Sequence, residues 1–202
     1  MNTFEQGLLK YLTEDQLSLI QSKKVGIGGA GGLGSNVAMI LVRSGFKNIE
    51  VLDLDVIDAS NLNRQQFFTS EIGQEKSKTL AIRLKQINPD LNITAHTTTW
   101  TKDTADKFFN DCDYYVEAFD KADAKFNFVE YYQRNNKPIV SGSGMAGLKT
   151  KNPMTLKKIG NIYMIGDQTT CASEGHPPMA PRVTACAAMM AEVILDLTLD
   201  LL

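Results

Sequence analysis

Nine consecutive residues, Gly26-Ile27-Gly28-Gly29-Ala30-Gly31-Gly32-Leu33-Gly34, carry the strongest chemical signal in the chain, because Gly29, Gly31 and Gly34 satisfy G-x-G-x-x-G. In a strand-to-helix turn, glycine supplies positive φ, lets backbone approach a phosphate with no Cβ in the way, and packs helix close on strand. Amides at the helix start then face an anion. Gly29, Gly31, Gly32 and Gly34 are therefore the candidate nucleotide-binding glycines. No G-K-[ST] follows, so the phosphate grip is not a P-loop. The motif alone does not separate a dinucleotide from ATP.

Asp53 lies nineteen residues beyond Gly34, where an acid accepts from the ribose hydroxyls that NAD and ATP share. Asp55 and Asp58 are close by, and a turn-capping role is the plain alternative; Asp53 is favoured because it comes first off the strand. The following loop, Asn61-Leu62-Asn63-Arg64-Gln65, weakens a dehydrogenase reading, since hydride transfer has no use for these groups just past the ribose acid. A triphosphate does. Arg64 offers a fork to phosphate oxygens, Asn61 and Gln65 can orient them, and Lys76 supplies a point charge. Asp120, at the carboxyl edge of the fourth expected strand, suits a Mg²⁺ that bridges phosphates. Each of these has an ordinary counterpart: a solvated face for the bases, a helix cap for Asp120.

These residues need a scaffold, and the hydrophobic pattern supplies one. Apolar runs at 25–28, 49–52, 93–97, 114–118 and 138–140 alternate with amphipathic stretches at 34–44, 75–87, 104–109 and 122–135, which predicts parallel strands joined by helical crossovers. Thr3 with Gln6 and Thr13 with Gln16 fit capping boxes of two short helices before the first strand. Residues 154–158 and 162–165, separated by Gly160-Asn161, read as a hairpin, so the sheet becomes mixed late. A helix from about Arg182 closes the chain. The expected architecture is a single Rossmann-like α/β domain over residues 1–202, mainly parallel with helices on both faces. It divides into an N-terminal helical segment (1–23), a nucleotide-binding core (24–147), and a hairpin, crossover loop and C-terminal helix (148–202).

The composition narrows the functional classes. Hydrophobic residues at 43% and charged residues at 22% belong to a globular chain. With 21 Lys plus Arg against 23 Asp plus Glu, the net charge of −2 provides no field to gather a phosphate backbone, so nucleic acid is not expected as the main partner. No long apolar run or basic-then-apolar leader is evident, so a cytoplasmic location without a membrane span is expected. Three widely spaced cysteines, Cys112, Cys171 and Cys186, fit neither a disulfide framework nor a four-cysteine zinc site.

Six ordered motifs, GxGGLGS at Gly29 to Ser35, Asp53, Asn61-Leu62-Asn63-Arg64-Gln65, Gly73-Gln74-Glu75-Lys76, Ile87-Asn88-Pro89 and Asp120, resemble the ThiF/MoeB/HesA family of ubiquitin-activating-type adenylyltransferases. The resemblance covers about residues 20 to 150 and is closest to short, zinc-free ThiF-type proteins of thiamine biosynthesis. It implies that ATP activates the C-terminal glycine carboxylate of a small ubiquitin-like sulfur carrier ending in Gly-Gly, giving an acyl-adenylate and pyrophosphate. Asp53 would take the ribose, Asn61, Arg64, Gln65 and Lys76 the phosphates, and Asp120 the Mg²⁺. A carboxylate attacking phosphorus needs no general base, so His96 and His176 receive no role. The resemblance also implies a homodimer, which the apolar stretch Val193, Ile194, Leu195, Leu197, Leu199, Leu201 and Leu202 supports.

Two departures stand out. Relatives place an arginine from the partner's N-terminal segment in the site, yet the first arginine here is Arg43; Lys10, Lys23 or Lys24 are the possible substitutes. The two CxxC pairs of many relatives are missing, so no zinc is expected. Cys112 and Cys186 read as inert core thiols. Cys171, in a polar late loop, matches a cysteine of similar proteins that takes part in sulfur transfer. No Lys or Arg stands near it and Glu174 would raise its pKa, so an unreactive loop cysteine is the favoured alternative. An NAD(P)-dependent oxidoreductase and a non-catalytic nucleotide-binding scaffold for a ubiquitin-like partner remain the competing readings.

Overall fold

The alternating pattern resolves, in a computed structural model that describes residues 1–148, 152–170, 172 and 175–202, into seven strands and six α-helices. Two short helices, α1 (Thr3–Leu8) and α2 (Glu14–Ser22), lead into β1 (Lys24–Gly28), α3 (Gly32–Arg43), β2 (Asn48–Leu52), α4 (Lys76–Ile87), β3 (Asn92–His96), β4 (Tyr114–Glu117), α5 (Ala122–Gln133) and β5 (Ile139–Gly142). The hairpin of β6 (Thr155–Ile159) and β7 (Ile162–Gly166) and the long α6 (Ala180–Thr198) complete the order. The sheet runs β3-β2-β1-β4-β5-β7-β6. All its pairs are parallel except β6 with β7. The expected Rossmann-like sheet with a late antiparallel hairpin is thus present.

Helices cover both faces, as right-handed crossovers require. On one face α3, α4 and α6 bury Val37, Leu41, Leu80, Leu84, Met190 and Ile194 against Val25, Ile27 and Val51 of the sheet. On the other, Phe128 and Tyr132 of α5 join Trp100, Phe108, Phe109 and Tyr115 in an aromatic cluster, with Tyr115 stacked on Tyr132 at 4.3 Å between centroids.

Several expectations are corrected. The helix expected at 104–109 is only a 3₁₀ turn, Ala105–Lys107. Thr104 Oγ1 accepts from the Thr101 amide and competes with helical bonding, while Phe109 takes a φ of 59° that turns its ring into the core. The first helix is capped one residue earlier than expected, by Asn2 with Glu5 rather than Thr3 with Gln6; the Thr13–Gln16 box forms as read. α6 starts two residues before Arg182, because Pro181 fits a helix's first turn. The apolar C-terminal stretch is largely consumed inside the chain: Val193 and Ile194 are buried, Leu195, Leu197 and Leu199 pack on the core, and only Leu201 and Leu202 stay exposed. It therefore gives no ground for a dimer. Among the described residues, no helix is long and apolar enough to cross a membrane.

Candidate active site

The strand order reverses between β1 and β4, and open α/β sheets bind ligands beyond the carboxyl ends of the strands at such a point. The glycine turn leaves β1 there and Asp120 follows β4. Gly29 adopts a φ of 100°, and a Cβ on it would stand 2.7 Å from the Ala118 carbonyl oxygen. A Cβ on Gly34 would stand 1.8 Å from Gly29 O, so only glycine lets α3 sit this close to the strand end. At Gly32 an added Cβ would meet Val183 and Arg64 at 3.1 and 3.4 Å.

Gly31 is different. Among the described residues, an added Cβ there would meet only Gln65 Nε2, at 3.8 Å. Nothing in the fold demands glycine on steric grounds, which leaves the open space in front of it to a ligand. As the residue that caps α3 it has no side chain to offer, so the first amides of the helix have no side-chain acceptor. Gln65, 8% exposed, holds its Oε1 buried without a partner among the described residues. An open cradle and free helix amides fit a phosphate, and the orphaned amide oxygen, an acceptor, fits a hydroxyl or amine donor of the same nucleotide.

Asp53 closes the turn from β2. Its Oδ2 accepts from the Ala30 amide at 2.6 Å and its Oδ1 from the Asp55 amide at 2.8 Å. Burial pushes its pKa up, with those two amides and Lys76 opposing. The next loop is pinned to α3 by Asn36, which donates to Arg64 O at 2.8 Å and accepts from Gln66 Nε2 at 2.7 Å. Among the described residues Arg64 itself finds only neutral oxygens, Ser60 O at 3.1 Å and Asn63 Oδ1 at 2.6 Å, so its charge is uncompensated by any of them. Asn61 is partly spent on its own turn, where its Oδ1 accepts from the Asp58 amide at 3.2 Å. Lys76 opens α4 with its ammonium 2.8 Å from Asp55 Oδ2; the lysine side chain is 7% exposed and its partner 65%, an exchangeable carboxylate over a fixed cation. Asp120 is exposed and has no hydrogen bond or ion pair among the described residues, so its oxygens are open to a hard cation.

The sequence reading missed the groups beneath Asp120: Glu117, fully buried at the end of β4, with Lys125 and Ser141 on it. The readable signal was an acid closing the apolar run Tyr114-Tyr115-Val116. It also missed Asp167, which accepts from Arg182 at 2.9 Å and from the amides of Thr169 and Thr170 at 3.0 and 2.8 Å, rooting the late loop on α6. Burial would raise that carboxyl, but Thr170 and Thr169 hold it well below the usual range.

The remaining calls are not brought to this end. Lys24 opens β1 and is paired with Asp111 and with Glu50 at 2.8 Å, so in its own chain it lies a strand's length from the glycine turn. That lysine joins both carboxylates of the one candidate metal cluster among the described residues, Glu50, Asp111 and Cys112. Cys112 and Cys186 are buried, and burial raises both thiols, Cys186 to about 12, as inert core thiols require. Cys171 lies outside the described residues.

The ThiF family model matches residues 5–199. The chain belongs to the ThiF family. It is 34% identical over 177 residues to SUMO-activating enzyme subunit 2 of Dictyostelium discoideum, covering 87% of this chain and 25% of that protein. It is 31% identical over 173 residues to adenylyltransferase and sulfurtransferase UBA4 of Meyerozyma guilliermondii, with coverage of 85% and 39%. It is also 31% identical over 135 residues to tRNA threonylcarbamoyladenosine dehydratase of Bacillus subtilis, with coverage of 66% and 53%. The ThiF-family chain thus spans between about a quarter and a half of these relatives' lengths. In fold it superposes on E. coli tRNA N6-threonylcarbamoyladenosine dehydratase, TcdA, in complex with ATP, with a TM-score of 0.85 at 23% identity over 96% of this chain and 93% of that one. E. coli MccB with ATP gives a TM-score of 0.72 at 21% identity, covering 93% and 59%.

Proposed function

We propose that this ThiF-family protein binds ATP at the glycine turn and adenylates a carboxylate, that of the C-terminal glycine of a ubiquitin-like sulfur carrier of the kind used in thiamine thiazole synthesis. The observation that carries the reading is the clustering, at the β1/β4 switch point, of groups left unsatisfied among the described residues: the uncapped α3 amides beside Gly31, the buried Gln65 Oε1, Arg64 without an acid and Asp120 without a partner. The fold neighbours in complex with ATP support it, as do relatives named for SUMO activation and for adenylyl transfer.

In this reading Asp53 accepts from the ribose while the α3 amides, Arg64 and Lys76 hold the phosphates. The carboxylate oxygen attacks the α-phosphorus, the bond to the bridging oxygen breaks, and pyrophosphate leaves. No proton moves, so the chain contributes positioning and charge neutralisation. Mg²⁺ held by Asp120 would neutralise phosphate charge when bound. By resemblance alone, a second copy of the chain and sulfur transfer through Cys171 belong to this reading.

A second reading keeps the reaction and changes the acceptor, since the nucleoside that names TcdA carries a threonyl carboxylate, and 96% of this chain superposes on that protein. The net charge of −2 favours the protein tail. Isotope exchange between pyrophosphate and ATP decides. Exchange that requires a small protein ending in Gly-Gly is the expected result; exchange stimulated by tRNA bearing that nucleoside instead moves the acceptor, and none with either removes the adenylation reading. With the carrier in hand, Cys171→Ser should keep exchange but lose thiocarboxylate formation from a sulfur donor; unimpaired formation rejects the cysteine's role.

A further inference from the structure

Beneath the candidate site, Glu117 is 0% exposed, yet every acceptor position of its carboxylate is used. Oε1 accepts from the Phe119 amide at 2.8 Å and from Lys125 Nζ at 3.0 Å; Oε2 accepts from Lys125 Nζ at 2.8 Å and from Ser141 Oγ at 2.6 Å. Lys125 also donates to Gly142 O at 3.2 Å. One buried ion pair therefore ties together the end of β4, the first turn of α5 and the end of β5. A buried pair is a poor stability device, because desolvation offsets its attraction and apolar replacements are often neutral or better. Its geometry points to a different use.

The segment between Glu117 and α5 is Ala118-Phe119-Asp120-Lys121, and it is fastened at successive points. The Ala118 amide donates to Gly28 O at 2.9 Å, the Phe119 amide to Glu117, and Lys121 caps α5. The Ala118 carbonyl also presses on Gly29. Among the described residues, Asp120 and Lys121 are the members of this segment whose side chains reach solvent unpartnered; Asp120 is its one carboxylate, and its backbone is held on both sides. We infer that Glu117 and Lys125 are positioning residues that fix the Asp120 carboxylate relative to the glycine turn, so that it meets the nucleotide's divalent cation without prior reorganisation; this rests on the reading of Asp120 given above.

The test is calorimetric ATP binding with and without MgCl₂, on the full chain, for wild type, Glu117→Gln, and Glu117→Leu with Lys125→Met. ATP affinity without Mg²⁺ should stay at the wild-type value in both variants. The Mg²⁺ concentration that half-maximally tightens ATP binding should rise about 10- to 100-fold, the size of effect seen when groups orienting a metal's ligand are removed. Lys125→Arg, which preserves the pair's charge beside an intact Glu117, should keep most of the wild-type Mg²⁺ dependence. A folded double variant with wild-type Mg²⁺ dependence overturns the inference while leaving the site reading intact. If the double variant does not fold, Glu117→Gln decides by the same readout, because it keeps the side chain's shape and loses its charge. A wild type that binds ATP with no response to Mg²⁺ overturns both the reading of Asp120 and the inference.

Discussion

The two ends of the sheet hold similar inventories of charge and use them in opposite ways. At the amino end, charges are spent on one another. Glu50 takes Lys24 at 2.8 Å and accepts the Phe109 amide at 3.2 Å. Glu5 takes Lys47 at 2.9 Å and Gln21 at 3.1 Å. At the carboxyl end, among the described residues, Arg64 faces only neutral oxygens, Lys76 rests on an exposed acid, and Asp120 has no partner. A surface cavity of about 280 Å³ opens at the amino end between Lys24, Asn48, Asn92 and Asp111. A cavity by itself therefore does not locate the chemistry. The carboxyl end has satisfied pairs too, Glu117 with Lys125 and Asp167 with Arg182, but around the glycine turn it also leaves charges open, and an unsatisfied cationic or amide group is one a ligand can satisfy at little cost.

The sharpest way to break this comparison is to remove one carboxylate from each end. Asp120→Ala should lower pyrophosphate exchange by about 10²–10³-fold, the usual loss on deleting a group that stabilises transition-state charge. Its melting temperature should not change. Glu50→Ala should do the reverse, costing about 1–3 kcal/mol of stability by leaving the buried Phe109 amide without its acceptor, with normal exchange per folded molecule. Equal losses of activity in the two variants would show that the ends are not functionally distinct. A finer division runs inside the glycine turn. Gly34→Ala must displace backbone, because its Cβ would lie 1.8 Å from Gly29 O, so folding and binding fail together. Gly31→Ala has room, and should melt like wild type while binding ATP more weakly; unimpaired binding would empty the cradle of its assigned ligand.

Arg64→Ala comes next, with an expected loss of about 1.5–3 kcal/mol in ATP affinity for a charged hydrogen bond and no change in melting, since its present partners are neutral surface oxygens. Unchanged affinity would take the loop Asn61 to Gln65 out of the phosphate site.

How far the sequence carried each end also differs. The glycine turn, Asp53, Lys76 and Asp120 were legible because each follows an apolar run that had to be a strand, or opens a helix, and Arg64 from the polar loop Asn61 to Gln65 that holds it. The hairpin was legible from Gly160-Asn161, whose glycine takes a φ of 60°. The segment 104–109 was misread because its apolar residues face an aromatic cluster rather than one side of a helix, and Thr101 and Thr104 bond each other. Glu117, Lys125 and Ser141 were invisible for another reason. They meet only because β4 and β5 are neighbours, and nothing in their separate surroundings announces a shared carboxylate. The amino-end network of Glu5, Gln21 and Lys47 was missed likewise.

The smallest effect gives the most direct contrast of the two ends, because their buried acids are perturbed in opposite directions. Burial raises Asp53, and the amides of Ala30 and Asp55 only partly offset it. A raised folded pKa means that the native state binds the proton more tightly than the unfolded chain, so stability falls as pH rises from the unfolded value through the folded one. Glu5 is also penalised by burial, but Lys47, the Asn2 amide and Asn88 outweigh the penalty and leave it lowered. Its contribution is present above the unfolded pKa and is lost as pH falls through the folded one. Melting temperatures taken from about pH 3 to 7, the span that covers both carboxyl titrations, should therefore separate the variants. Relative to wild type, Asp53→Asn should gain stability toward neutral pH and Glu5→Gln should lose it there, the two differences shrinking together toward acid. Curves of the same sign would mean that the acid facing the nucleotide is stabilised by the fold as fully as the acid beneath the sheet, and the distinction between spent and available charge would fail at Asp53.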